Sequence, residues 1–112
     1  MAESTVIKVN GTEEQDPDAA IVRHFDWSAW FATEPTGVIA STTVVVAPTV
    51  ADADADPVTI DQVSLLTGNR KVQFRAQGGT AGRKYKVTCH ILTDESPVQQ
   101  DDRSFYLKIK EK

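Results

Sequence analysis

The chain carries one cysteine, Cys89, two histidines and one methionine among its 112 residues. A lone cysteine excludes an internal disulfide framework and fits folding in a reducing cytoplasm. Only His24, His90 and Cys89 are available for nucleophile–base work. With no Gly-x-Ser-x-Gly elbow and no metal-ligand spacing, no catalytic centre, metal site or cofactor is expected. Apolar runs stay well short of the ~20 residues that a membrane span needs. The start, Met1-Ala2-Glu3-Ser4-Thr5, has neither a basic nor an apolar leader segment, so neither a signal peptide nor a membrane partner is expected. Helical periodicity is also missing beyond a single turn, and no repeat is visible.

Two segments imitate ligand-binding motifs and fail on their own chemistry. Asp52, Asp54 and Asp56 alternate like the first calcium ligands of an EF-hand loop. The glycine required next is Pro57, and the closing glutamate is Val63. The segment therefore reads as a solvated acidic loop. Gly78-Gly79-Thr80-Ala81-Gly82-Arg83-Lys84 has the look of a phosphate loop, but Tyr85 stands where Ser or Thr is needed and a strand follows instead of a helix.

What is abundant is two-residue alternation. Tyr85 to Ile91 alternates apolar and polar without a break, and Phe105 to Lys110 repeats the pattern. Such alternation places successive side chains on opposite faces of a half-buried strand. Tyr85, just past the Gly78–Gly82 turn, stands where immunoglobulin-type sandwiches keep a tyrosine corner. Cys89 shares the inward parity of Tyr85, Val87 and Ile91, so it is expected to be a small buried hydrophobe, with His90 pointing outward. Further β-prone runs occur at Val6–Val9, Ala20–Phe25, Val38–Val46, Val58–Leu66 and Lys71–Ala76. Turn signals fall at the 8–12-residue spacing of a sandwich. The expectation is an all-β, immunoglobulin-like or fibronectin-III-like antiparallel β-sandwich of about seven strands. Residues 1–18 would form an N-terminal arm or edge strand, and residues 19–112 the sandwich domain.

Structural weight is expected at Tyr85, Trp27, Gly78, Gly79, Gly82, Phe105 and Leu107. Trp27 and Trp30 are three residues apart, a spacing suited to one helical turn that Asp26 could cap. Trp27 is expected in the core, whereas Trp30 or Phe31 could be an exposed anchor for a partner protein. Charge is unevenly placed along the chain. Residues 1–66 hold 11 acids against two bases, and residues 67–112 hold 10 bases against five acids. Either the two signs mix once the strands interleave, or they form complementary docking faces. The docking alternative would use Asp52, Asp54 and Asp56 on one side and Arg83, Lys84 and Lys86 on the other. Nucleic acid is not expected as a partner of a domain whose net charge is −4.

From Asp16-Pro17-Asp18 onward, the chain resembles a family of small tailed-phage virion proteins described as fiber-tail adaptors. The resemblance rests on Phe25-Asp26-Trp27-Ser28-Ala29-Trp30-Phe31, then Ile39-Ala40-Ser41-Thr42-Thr43-Val44. It continues with Gly78-Gly79-Thr80-Ala81-Gly82-Arg83-Lys84-Tyr85-Lys86-Val87-Thr88 and Asp101-Asp102-Arg103-Ser104-Phe105-Tyr106-Leu107-Lys108-Ile109. Thr43 replaces a tryptophan common in that family, and the loop from Thr93 to Asp102 is longer than expected. The resemblance implies a non-enzymatic part of the virion tail, made in the bacterial host cytoplasm and present in multiple copies. It would join the tail fiber to the tail tube or neck adaptor. A capsid decoration protein, or a carbohydrate- or host-receptor-binding sandwich, are the alternatives.

Overall fold

The computed structural model describes residues 5–28, 31, 37–49, 56–66, 68–94 and 98–111. Its strands are β1 (Thr5–Val6), β2 (Thr12–Gln15), β3 (Ala20–Asp26), β4 (Ile39–Pro48), β5 (Val58–Leu65), β6 (Lys71–Gly78), β7 (Lys84–Thr93) and β8 (Gln100–Ile109). They form two four-stranded sheets, in the orders β1-β3-β6-β5 and β2-β8-β7-β4. Strands β3-β6-β5 and β8-β7-β4 follow the BED and GFC orders of an immunoglobulin-like sandwich. Among the described residues there is no α-helix.

The strand count is eight because the N-terminal segment divides between the sheets. β1 pairs with β3 and β2 with β8, both in parallel, while every other pairing is antiparallel. A turn closed by the Gly11 N–H to the Lys8 carbonyl, with Asn10 at φ 62°, reverses the chain between them. Asn tolerates that left-handed conformation better than most residues do.

The alternation of β6, β7 and β8 translates directly into burial. Val72, Phe74 and Ala76 face Tyr85, Val87, Cys89, Ile91, Phe105, Leu107 and Ile109 across the core. Phe25 and Phe74 from one sheet meet Phe105 from the other, with ring centroids 5.4, 5.8 and 5.9 Å apart. Tilted and edge-on arrangements at these separations add about 0.5–1.5 kcal/mol per pair beyond area burial. Cys89 is buried, and burial pushes its thiol pKa up against hydrogen bonds with Thr42 and Trp27 that pull it down. A desolvated thiol of this kind is a poor nucleophile.

One clasp between the sheets is polar. Gln15 of β2 is 2% exposed; its Nε2 donates to the Ala19 and Ala76 carbonyls at 3.1 and 2.8 Å. Arg23 of β3, 4% exposed, donates to the Gln15 Oε1 at 2.6 Å. Burial lowers the Arg23 pKa, and the negative charge of Glu13 partly offsets it. Arg23 occupies an inward position between Ile21 and Phe25, so the strand carries a charge where its neighbours carry hydrocarbon.

Candidate docking surfaces

Two ends of the sandwich gather the residues singled out from the sequence. At the first end, the β6–β7 connection is built from glycines with positive φ. Gly79, at φ +96°, has no room for a side chain, since an added Cβ would lie 2.7 Å from Ile109 Cγ1 and 2.8 Å from Val58 Cγ2. Gly82, at φ +87°, faces open space, so there the backbone conformation alone selects glycine. Tyr85 is buried just beyond this turn. Its hydroxyl accepts the Thr80 N–H at 3.0 Å and donates to the Asp56 carbonyl at 2.6 Å. The Asp56 N–H in turn donates to Thr80 Oγ1 at 2.7 Å. The three bonds close a ring that ties the end of the β4–β5 connection to the β6–β7 corner.

Outward from that corner the surface is basic. Arg83, Lys84, Lys86 and Lys108 are exposed. Lys84 lies directly across from Lys108, and Lys86 across from Tyr106. Like charges opposite one another destabilise a sheet by a fraction of a kcal/mol (roughly 0.2–1). Lys84 partly relieves this by placing its Nζ 4.9 Å from the centre of the Tyr106 ring. Glu14 sits across from Lys108 on β2 and reaches the Lys110 Nζ at 3.9 Å. Pro48, Thr49, Gly82, Arg83 and Lys84 line a shallow cleft of about 220 Å³ on this end. The exposed Asp56 lies beside the corner, whereas Asp52 and Asp54 fall outside the described residues.

The second end holds the aromatic cluster. The Asp26 carboxylate accepts the Ser28 N–H at 2.9 Å, and the Phe31 N–H reaches the Trp27 carbonyl at 3.2 Å. Burial raises the Asp26 pKa, but the Ser28 hydrogen bonds together with Lys71 and His24 outweigh it and leave the carboxyl below its ordinary value. The i,i+4 bond sets Trp27 and Phe31 on one side, and that side is the core; both are 0% exposed. This corrects the expectation that Phe31 could be an exposed anchor. The Arg70 guanidinium lies 5.2 Å from the Phe31 ring centre and donates twice to the Gly37 carbonyl. Arg103 lies 4.5 Å from the Trp27 ring and donates to the Asp26 carbonyl. Trp30 falls outside the described residues.

Strands from the acidic and the basic half of the chain interleave in both sheets. The basic C-terminal half supplies three of the four interior strands, β6, β7 and β8, while the acidic half supplies the interior β3 and the outer strands β1, β2, β4 and β5. Asp61 of β5 takes a bidentate pair from Arg75 of β6 at 2.8 Å for each bond. His90 of β7 faces outward and pairs with Asp102 of β8. Gln15 and Tyr106 were not singled out from the sequence. An inward arginine at position 23 was the one signal that a buried polar partner had to exist; nothing in the residue type of Tyr106 marked it as the lysines' neighbour. Among the described residues, no cluster of three or more His, Cys, Asp or Glu could hold a metal.

An all-β sandwich with this strand order and a bonded tyrosine corner is immunoglobulin-like in architecture. The family described as podophage GP4 fiber-tail adaptor protein gp77 matches residues 15–108, and the chain belongs to that family. It is thus a structural protein of the phage tail. No curated protein matches the chain significantly.

Proposed function

We propose that this protein joins tail fibers to the tail tube or neck of the virion, in multiple copies per particle, and that the basic end around Arg83, Lys84 and Lys86 is one of its docking surfaces. The observation that carries the joining role is the family match over residues 15–108. Support for the surface comes from two lysines held face to face at some cost to the sheet, Lys84 and Lys108, beside the exposed Lys86 and Arg83. Its partner would be an acidic protein surface. The acids called from the sequence, Asp52, Asp54 and Asp56, would form a second docking patch; of these Asp56 lies beside the corner.

The test replaces Arg83, Lys84 and Lys86 with Ser together and follows fiber incorporation in assembled particles over a salt series. The side chains are exposed, so stability should stay within about 0.5 kcal/mol of the parent. Fiber incorporation should fall, and the remaining attachment should lose its salt dependence, because the Debye length shrinks from ~10 Å at 0.1 M to ~3 Å at 1 M. Unchanged incorporation with an unchanged salt profile would remove this surface from the docking role.

A further inference from the structure

Each sheet of the sandwich has two edges, and three of the four edges are protected against pairing. β1 has two described residues, Thr5–Val6. β2 has four residues, two of which are Glu13 and Glu14. β5 carries a bulge between Asp61 and Ser64, with Gln62 forced to φ 53°. Short length, charge and bulges are the devices by which proteins keep sheet edges from recruiting further strands. β4 has none of them along most of its length. It runs for ten residues, Ile39–Pro48, with no charged side chain, and its register against β7 is regular from Ser41 to Pro48. Ile39, Thr42, Thr43, Val44, Val45 and Val46 are all β-branched. No described strand pairs with its outer edge, and Val45 is 60% exposed.

We infer that the open edge of β4 pairs antiparallel with β4 of a second copy of this chain, joining two sheets into one continuous eight-stranded sheet. This goes beyond the fiber-joining role and does not depend on it. Two features select a second copy as the occupant. Around a two-fold axis the same strand stands on both sides, so charges of one sign near its middle would be brought together; β4 carries no charge and escapes that penalty. The outer face flanking β4 is also polar along its length. Arg83, Lys84, Lys86 and Lys108 lie at the Pro48 end. Asp102, across from His90, and Asp101 lie at the Ile39 end, where Asp94 accepts the Val38 N–H. An antiparallel pair brings the basic end of one copy beside the acidic end of the other, whereas a parallel pair would align like ends. The β7 strands of the two copies would stand three strand spacings apart, ~14 Å, so the charges would set orientation more than affinity.

The experiment is sedimentation velocity of the purified full chain over a concentration series. The parent should shift from monomer toward dimer mass as concentration rises. A Thr43→Lys, Val45→Lys double variant places lysines on the solvent face of β4, where the fold tolerates them but the paired edge would not. Its association should weaken at least about tenfold, with a circular dichroism spectrum and melting temperature like the parent's. A second variant, Lys84→Glu with Lys86→Glu, should weaken association only about twofold at low salt and turn its response to salt the other way, since salt would then screen a repulsion. A parent that stays monomeric throughout, or a lysine variant that associates equally well, overturns the inference. If the parent is monomeric and the lysine variant fails only to enter particles, the edge belongs to a strand of another virion protein, and self-pairing is wrong.

Discussion

The two ends of the sandwich use their cations in opposite ways. At the aromatic end, Arg70 and Arg103 lie over Phe31 and Trp27 and donate to main-chain carbonyls. At the glycine end, Lys84, Lys86 and Lys108 stand in solvent, and a hydroxyl-centred ring does the structural work beneath them. Guanidinium suits the first task because it is planar, weakly hydrated and forked, while ammonium keeps its water and its freedom. The charge excess of the C-terminal half therefore overstates what is on offer to a partner. Arg70, Arg75 and Arg103 are engaged within the fold, whereas Lys84, Lys86 and Lys108 are exposed together at the glycine end.

That contrast can be broken most severely at the aromatic end. Trp27→Ala removes the platform on which Arg103 lies and opens the core, and should cost about 3–5 kcal/mol in urea unfolding. A loss below ~1 kcal/mol would show that the aromatic corner is peripheral. At the glycine end the equivalent change is smaller. Tyr85→Phe keeps the ring but strands the Thr80 N–H and the Asp56 carbonyl, so a loss of about 1–3 kcal/mol is expected. An unchanged denaturation midpoint would mean that water or another group replaces the hydroxyl.

The smallest effect concerns a cation engaged on the outer face. The Arg75 hydrogen bonds hold the Asp61 carboxyl below its ordinary pKa, more strongly than desolvation raises it. A carboxyl lowered in the fold stabilises above its unfolded pKa, and that contribution is lost as pH falls through the folded pKa. Melting temperatures of the parent and Asp61→Asn should thus differ slightly at neutral pH and converge in acid below the carboxylate range. A gap that persists in acid would mean the difference does not come from ionisation.

Much of the sandwich was legible because burial follows parity. Once Tyr85 to Ile91 was read as alternating, the inward side of β7 and the exposure of Lys84 and Lys86 followed together. The single turn at Trp27 was legible from spacing, but its facing was not. Phe31 shares the core side with Trp27 and has Arg70, distant in sequence, beside its ring. β2 was missed as a strand because Thr12, Glu13, Glu14 and Gln15 offer no apolar member; its place is set by the ladder that β8 presents. The edges were equally hidden, since a strand's neighbour on one side and emptiness on the other are properties of the whole topology.

The parallel pairing of β2 with β8 has a mechanical consequence. These are close to the first and last segments of the chain, held by the Tyr106 N–H to the Gly11 carbonyl and the Lys110 N–H to the Gln15 carbonyl. A pull that separates the two termini slides such strands lengthwise past each other, so their bonds share the load at once. An antiparallel hairpin pulled from its open end, like β7 and β8, yields one rung at a time. Resistance to force reflects the height of the unfolding barrier and not the equilibrium stability. The fold is thereby toughest against a pull that draws β2 and β8 apart lengthwise.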